Sequence, residues 1–285
     1  MMFKILILQR YYNLSDEQTE FQIKDRLSFM QFLGLVIGDT VPDEKTIWLF
    51  KEQLSEKNLS DQLFERFTQM LISNGIVAKE GSIVDASFVN VPRQRNSREE
   101  NATIKEGKVP ESFKKNPAMK SQKDCDARWM KKNGERHFGY KNHINADMKT
   151  KLITKFSTSS AAPHDSTETK NLFDESDNVA YADSAYRSER IETYLQSINC
   201  KSHIHEKGYR NNPLELQQQL TNTMKSKIRS RVEHVFGFMT NSMNNGLNLK
   251  AIGKKRIDSL IALLNLTYNL FRYEQIVRLQ KVKAM

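Results

Sequence analysis

The sequence predicts an α/β protein, a mixed sheet of order β-β-β-α-β-α-β-α flanked by helices and preceded by an all-helical N-terminal region. Three observations predict it. Helical periodicity prevails up to about residue 75, strand-like texture takes over at Gly81, and strand-like and helix-like segments then alternate before a last apolar helix.

The N-terminal part opens with "MMFKILILQRYYN", whose apolar run is only a few residues long and is followed by no small-residue cleavage site. In "SDEQTEFQIKDRLSFMQFLGL", Ser15 and Gln18 form a capping box, and Phe21, Leu27, Met30 and Leu33 fall near one face. A second helix follows Pro42: "PDEKTIWLFKEQL" sets Ile47, Leu49, Phe50 and Leu54 near a buried side and Lys45, Thr46 and Lys51 elsewhere. A third begins near Ser60 and stops at Gly75. Short helices joined by turns make either a helix-turn-helix DNA reader or an ordinary bundle with a charged, solvated face.

From Gly81 the strands are "GSIVDASFVNV", "HFGYKNHINADM" and "KLITKFSTSSAA", the last two joined by the hairpin turn "DMKTK". A helix ("HDSTETKNLFDES"), a strand ("NVAYADSAY"), a helix ("RSERIETYLQSIN"), a strand ("CKSHIHEKG") and a long helix ("KSKIRSRVEHVFGFMTNSM") follow. The tail "RIDSLIALLNLTYNLFRYEQIVRL" reads as a core helix. Residues 90 to 136 interrupt the series with 13 Lys and Arg against 7 Asp and Glu. They read either as a mobile or DNA-ordered insertion or as a solvated loop, with Trp129 beside Arg128 and Lys131 as an aromatic able to stack on a base. The resulting division is 1–76 as a helical DNA-binding region and 77–285 as the α/β domain with its basic insertion and C-terminal packing helix.

The composition narrows the function classes. With 38% hydrophobic and 27% charged residues, 285 residues make a globular chain with a sizeable core. Forty-four Lys and Arg against 34 Asp and Glu leave a formal +10, which favours a polyanionic partner, nucleic acid first. No run approaches the ~18 apolar residues of a membrane span, so cytoplasmic residence is expected. Cys125 and Cys200 lie far apart, without the spacing of a disulfide framework or zinc site.

Three carboxylates stand out. Asp85 sits inside the apolar run "SIVDASFV", where an unpaired charge costs several kcal/mol. Asp183 ends the apolar run of "NVAYADSAY", just before Arg187 and Ser188 open a helix, and strand ends are where open α/β sheets place their chemistry. On the long helix, Ile228, Val232, Val235, Phe236, Met239 and Met243 trace the buried stripe; Arg229 and Glu233 lie together beside it, and Gly237 leaves room one turn on. Singly, these acids read as a strand acid paired with a Lys, a helix cap and a surface ion pair. Together they can converge at one edge of the sheet, where like charges repel and divalent cations reverse that cost. Hard oxygen ligands suit Mg²⁺ or Mn²⁺, and two such ions roughly 4 Å apart can activate an attacking hydroxyl and stabilise a leaving oxygen in phosphoryl displacement. His203 and His205 alternate onto one strand face but lack a third ligand, which favours structural roles. Asp165 of the His164-Asp165 pair reads as an N-cap, and His234 as a packing residue.

These residues resemble the DDE-type transposases of bacterial insertion sequences, in the insertion-sequence-five subfamily. The resemblance covers nearly the whole chain and rests on "NLSDEQTEFQIKDRLSFMQFLGL", "VPDEKTIWLFKEQL", "IVDASFV", "KDCDARWMKKNGERHFGYKNHINADMKTKLI", "AAPHDS", "YADSAYRS", "IHEKGYRNNP" and "SKIRSRVEHVFGFMTNSM". It implies a ribonuclease H-like fold, with Asp85, Asp183 and Glu233 as catalytic, metal-binding acids holding Mg²⁺ or Mn²⁺ as two ions. It also implies binding of terminal inverted repeats and target double-stranded DNA, strand cleavage that exposes 3′-hydroxyls, and strand transfer. A homodimer or higher oligomer on DNA in a bacterial cytoplasm, associated with the nucleoid, follows from the same likeness. DNA contacts are expected from Arg229, Lys225, Lys227, Arg128, Trp129, Lys131, Lys132, Lys45 and Lys51. Against the signature Tyr, two residues, Arg, three residues, Glu, six residues, Lys, this chain keeps Arg229 and Glu233 but has Ser226 for the Tyr and Thr240 for the Lys; Lys225 and Lys227 offer partial replacement. Such transposases commonly begin some tens of residues earlier, which leaves open whether this is an N-terminally truncated copy. Two alternatives stay open: a ribonuclease H-like nuclease without strand transfer, and an inactive DNA-binding remnant.

Overall fold

A computed structural model describes residues 1–94, 96–132, 134–209 and 212–283. Residues 210 and 211, within the quoted block "IHEKGYRNNP", lie outside the described residues. The N-terminal part contains α1 (Met2–Tyr11), α2 (Asp16–Asp25), α3 (Leu27–Leu33), α4 (Glu44–Glu56) and α5 (Leu59–Ser73). The capping box at Ser15 and Gln18 is present, but the helix it opens stops at Arg26, whose extended backbone starts α3 on a new axis. That break turns Phe21 and Leu27 outward while Met30 and Leu33 stay buried, so the single apolar face expected over 15–35 is split. On α4, Ile47 and Leu54 are buried and Leu49 is exposed. The opening apolar run is itself a helix, burying Ile5, Leu6, Ile7 and Leu8.

The sheet is mixed, as expected. Strand β1 (Ser82–Asn90) runs antiparallel to β3 (Glu135–Asp147), from Ser82 opposite Asp147 to Asn90 opposite Gly139. The hairpin through Met148–Leu152 returns as β4 (Ile153–Ser160). On its other edge β1 pairs in parallel with β5 (Val179–Tyr181), which pairs in parallel with β6 (Lys201–Ser202). Antiparallel β1-β3-β4 extended by parallel β5 and β6 is a ribonuclease H-like α/β arrangement.

The polar stretch 90–136 departs from the loop expectation. It carries α6 (Arg98–Lys105), α7 (Glu111–Lys115), α8 (Pro117–Ser121) and strand β2 (Arg128–Lys132), which pairs with the first half of β3. Buried Ile104 and Phe113 anchor its helices. Asp124, almost fully buried, accepts hydrogen bonds from the backbone N–H groups of Asp126 (3.0 Å) and Ala127 (2.9 Å), from the Tyr140 hydroxyl (2.7 Å) and from the Gly253 N–H (2.9 Å). One carboxylate thereby ties the insertion to β3 and to the approach to α13 (Lys254–Lys283).

Between β4 and β5, the expected helix is a 3₁₀ turn (Asp165–Glu168) continued by α9 (Thr169–Leu172). Its N-cap is His164, not Asp165: the imidazole accepts from the Ser166 N–H, and Asp165 is drawn instead to Lys141. After β5 comes α10 (Glu189–Ser197), capped by Ser188. The long helix following β6 is α11 (Leu216–Arg229), a 3₁₀ turn (Ser230–Val232), α12 (Glu233–Gly237) and a π turn (Phe238–Ser242). Val232, Val235, Met239 and Met243 are fully buried, as the stripe requires, and Ile228 and Phe236 pack against them.

Helix α13 is the central core element. Ile257, Ile261, Leu264 and Leu266 share one apolar cluster with Ile5, Phe29, Ile47 and Phe64 from the N-terminal helices and Ile83, Tyr140 and Ile144 from the sheet. Its buried polar residues fix its register. Asn142 and Asn265 exchange side-chain hydrogen bonds (2.8 and 3.2 Å), and Asn269 bonds both the N–H and the carbonyl of Ile153 (2.8 Å each).

Candidate active site

Strand β1 carries Asp85 with its side chain mostly enclosed. Its Oδ1 accepts from the adjacent Ala86 N–H (2.8 Å), and its Oδ2 accepts from Arg229 Nη1 (3.1 Å). The same guanidinium donates from Nη2 to Glu233 Oε1 (3.0 Å), one helical turn further on. Arg229 therefore bridges the strand acid and the helix acid with one cation, replacing the Lys partner expected for Asp85 and joining two of the three acids the sequence singles out. Glu233 is the most exposed of the set, with 61% of its side chain open to solvent, so it can change partners; Gly237 faces open space beside it.

Asp183 follows β5. The parallel register pairs Ser82 with Ala180 and Ile83 with Tyr181; continued by two residues, it sets Asp183 next to Asp85. Asp183 does act as a cap, accepting from the Ala185 N–H (2.9 Å) at the start of the 3₁₀ turn Ser184–Tyr186. Burial pushes the Asp85 carboxyl up to about 6; the Ala86 N–H and Arg229 pull it down, and the Asp183 charge adds to the rise.

Three further groups that sequence reasoning did not single out lie around Asp165, with Lys141 and His143 on the face of β3 opposite to that of Asp85. Tyr186 is buried and its hydroxyl has no hydrogen-bond partner among the described residues. Burial raises its pKa well above the ordinary value, and the charges of Asp165, Asp85, Asp183 and Glu168 add to it. Lys141, nearly fully buried on β3, pairs with Asp165 (2.7 Å) and donates to the Pro163 carbonyl (2.6 Å). His143, two residues on, meets the Ser159 hydroxyl through Nε2 (2.7 Å). The His164-Asp165 segment is thus tied to β3 through Lys141, and its Asp165 charge acts on Tyr186 together with those of Asp85 and Asp183. The available signal was the Tyr three residues after Asp183 and the alternation of Lys141 and His143 on one strand face.

The expected DNA contacts fall into separate groups. Lys227 and Lys45 are exposed, on α11 and α4, and Lys131 and Lys132 are exposed on β2. Asp85 feels the Lys132 charge, and the Lys132 ammonium lies over the Phe88 ring, 5.8 Å from its centroid. Trp129 is 45% exposed, with the Arg93 guanidinium over its ring. The other three cations are already engaged. Arg128 donates to the carbonyls of Cys125, Ala127 and Ile104 (2.7–3.0 Å), Lys51 pairs with Asp16 (2.5 Å), and Lys225 donates to the Ile204 carbonyl (2.8 Å) and pairs with Glu206 (3.5 Å). Ser226, at the signature's Tyr position, meets His205 Nε2 (3.3 Å), and the Thr240 hydroxyl turns back to the Phe236 carbonyl (2.9 Å). His203 and His205 lie beyond the end of β6, their backbone N–H groups donating to the Ala180 and Ala182 carbonyls, and His203 packs edge-on against Tyr181. His234 is exposed instead of packed.

Among the described residues no group of three or more His, Cys, Asp or Glu side chains stands close enough to hold a metal ion. The donor chemistry nevertheless fits a hard cation. Asp85 and Glu233 supply carboxylate oxygens that here satisfy a guanidinium, and Asp183 supplies a third beside them.

No solved structure matches the chain. The family model "Transposase domain (DUF772)" matches residues 1–53, across α1 to most of α4. The model "Transposase DDE domain" matches residues 78–270, more than half of the chain, from the approach to β1 through the middle of α13, and so covers Asp85, Asp183 and Glu233. The chain belongs to the DDE-domain transposase family.

Proposed function

We propose that this transposase is of the insertion-sequence-five type. It binds the terminal inverted repeats of its own element, cleaves them to expose 3′-hydroxyls and joins those ends to target DNA. The family is one of divalent-metal-dependent polynucleotidyl transferases and endonucleases acting on DNA. In this reading Asp85, Asp183 and Glu233 hold Mg²⁺ or Mn²⁺, as two ions. The bound metal supplies nucleophile activation and charge neutralisation at the scissile phosphate. The chain's own groups do the rest. Asp85 is fixed by the Ala86 N–H and Asp183 by the Ala185 N–H, so two carboxylates are oriented before any substrate arrives. Glu233 is the movable member. Arg229 orients Glu233 or, once released, contacts a phosphate oxygen, with exposed Lys227, Lys131 and Lys132 extending the cationic path.

The observation that carries this reading is that Arg229 joins Asp85 and Glu233 while the parallel register of β1 and β5 sets Asp183 beside Asp85. In a strand-transfer assay with pre-cut ends, Asp85→Asn and Glu233→Gln are expected to lose Mg²⁺-dependent joining while still binding end DNA. Joining retained in either variant would overturn the assignment. The remnant reading has one observation in its favour, that Arg229 already neutralises the acid pair; end binding without metal-stimulated cleavage in the wild-type chain would favour it.

A further inference from the structure

A cavity of about 310 Å³ opens between the N-terminal helices and the loop that leads into α13. Four cations line it, Arg10, Lys51, Lys250 and Arg256, against two carboxylates, Asp16 and Glu52. Both carboxylates are already taken. Asp16 receives Lys51 (2.5 Å) and the Gln9 amide (2.7 Å), and Glu52 receives Arg256 in a two-point contact (2.7 and 2.8 Å). Arg10 and Lys250 are the surplus. Lys250 has no ion-pair partner among the described residues and stays exposed at the rim.

Arg10 is the anomaly. It is only 5% exposed, and its Nε and Nη1 find no hydrogen-bond partner among the described residues. Burial pushes its guanidinium down to about 10, with Asp16 pulling the other way. A buried guanidinium with unmade hydrogen bonds is costly unless an anion reaches it. Beside it the wall is apolar and aromatic, with Leu14, Ile252 and half-exposed Trp48. Helix α13 begins at the same wall without an acid in its first turn, so its dipole adds positive potential.

We propose that this cavity is a nucleotide site, in which Arg10 and Lys250 take a phosphate group and the Trp48 ring takes the face of a base. The chemistry is that of a phosphorylated nucleoside. A charged group meets the Arg10 guanidinium and the Lys250 ammonium, and a flat apolar body meets the indole, within a volume at the small end of ligand pockets. Two sources carry that chemistry, a free nucleotide and an unpaired terminal nucleotide of DNA. The site shares no residue with the acid cluster, so its test is independent of catalysis.

The test is calorimetric titration of the full chain with deoxyadenosine monophosphate. One site per chain is expected, with affinity at least about tenfold weaker in Arg10→Met and weaker again for inorganic phosphate on the wild type, which lacks the base. Because Arg10 is unsatisfied without ligand, Arg10→Met should keep or raise the melting temperature of the ligand-free protein, whereas a purely structural arginine would lower it. Should Arg10→Met fail to fold, surface variants Lys250→Gln and Trp48→Ala carry the same expectation of weaker binding. Competition then separates the sources: displacement by a duplex with a three-nucleotide 3′ overhang but not by a blunt duplex identifies a DNA terminus, and no displacement by either identifies a free nucleotide. No binding at millimolar nucleotide, binding unchanged in all three variants, or equal binding of inorganic phosphate would overturn the proposal.

Discussion

Asp85 and His143 sit on neighbouring strands and titrate in opposite directions. Burial raises Asp85 from 3.8 to about 6, so between those values the folded protein holds more protons than the unfolded chain, and this carboxyl adds stability as pH falls. Burial lowers His143 from 6.5 to about 4, so there the unfolded chain holds more protons, and stability is lost as pH falls. Each effect is worth roughly 3 kcal/mol at most, and over pH 4 to 6 they offset one another. Urea midpoints against pH should therefore be nearly flat for these two groups in the wild type. They should fall towards low pH in Asp85→Asn and rise in His143→Gln; parallel curves in all three proteins would contradict the assignment. Arg229 gives a second expectation. Arg229→Gln leaves Asp85 with only a backbone partner, so in chelator its melting temperature should drop by an amount equivalent to about 1–3 kcal/mol. Addition of Mn²⁺ should recover more of that loss than it adds to the wild type. At this scale the acids were legible because a carboxylate among apolar neighbours is conspicuous. Tyr186 and Lys141 were not singled out, and the pairing of Lys141 with Asp165 was not legible, since it joins β3 to a distant 3₁₀ turn.

At the scale of elements, β3 is decided by one residue. Gly139 is where its outer neighbour changes from β2, ending at Arg128, to β4, starting at Ser160. Its φ is +148°, and a Cβ there would stand 2.2 Å from the Val89 carbonyl oxygen. Gly139→Ala should therefore part β1 from β3 at that end and cost several kcal/mol, seen as a lowered urea midpoint; a change under about 0.5 kcal/mol would contradict the close approach. The strand sequence was readable from its apolar alternation, whereas the insertion was not, because its elements are short and polar and stand on long-range anchors such as Asp124. One local sign was there to read: Ser97 and Glu100 form a capping box that opens α6.

For the molecule as a whole, the N-terminal helices and the sheet share α13. Leu54 of α4 and Phe64 of α5 lie in the same apolar cluster as Ile144 of β3. Removing residues 1–76 should strip one side of α13, and the remaining chain is expected to lose cooperative unfolding and bind hydrophobic dyes. A sharp, dye-free transition in that fragment would show that the sheet and α13 stand alone. Order along the chain predicted the sheet and its flanking helices correctly. It carried no information on which helices α13 serves, because an apolar helix shows that it is buried without showing against what.

The strand β2 has a further consequence, for colloidal behaviour. Exposed sheet margins invite pairing with other molecules. Here one margin is split between β4 and a five-residue β2 bearing Arg128, Lys131 and Lys132, and the other is a two-residue β6. A second copy approaching β2 edge to edge and antiparallel would set Arg128 against Lys132 at both ends of the strand, so the cations proposed to extend the DNA path also disfavour pairing of free copies through their sheets.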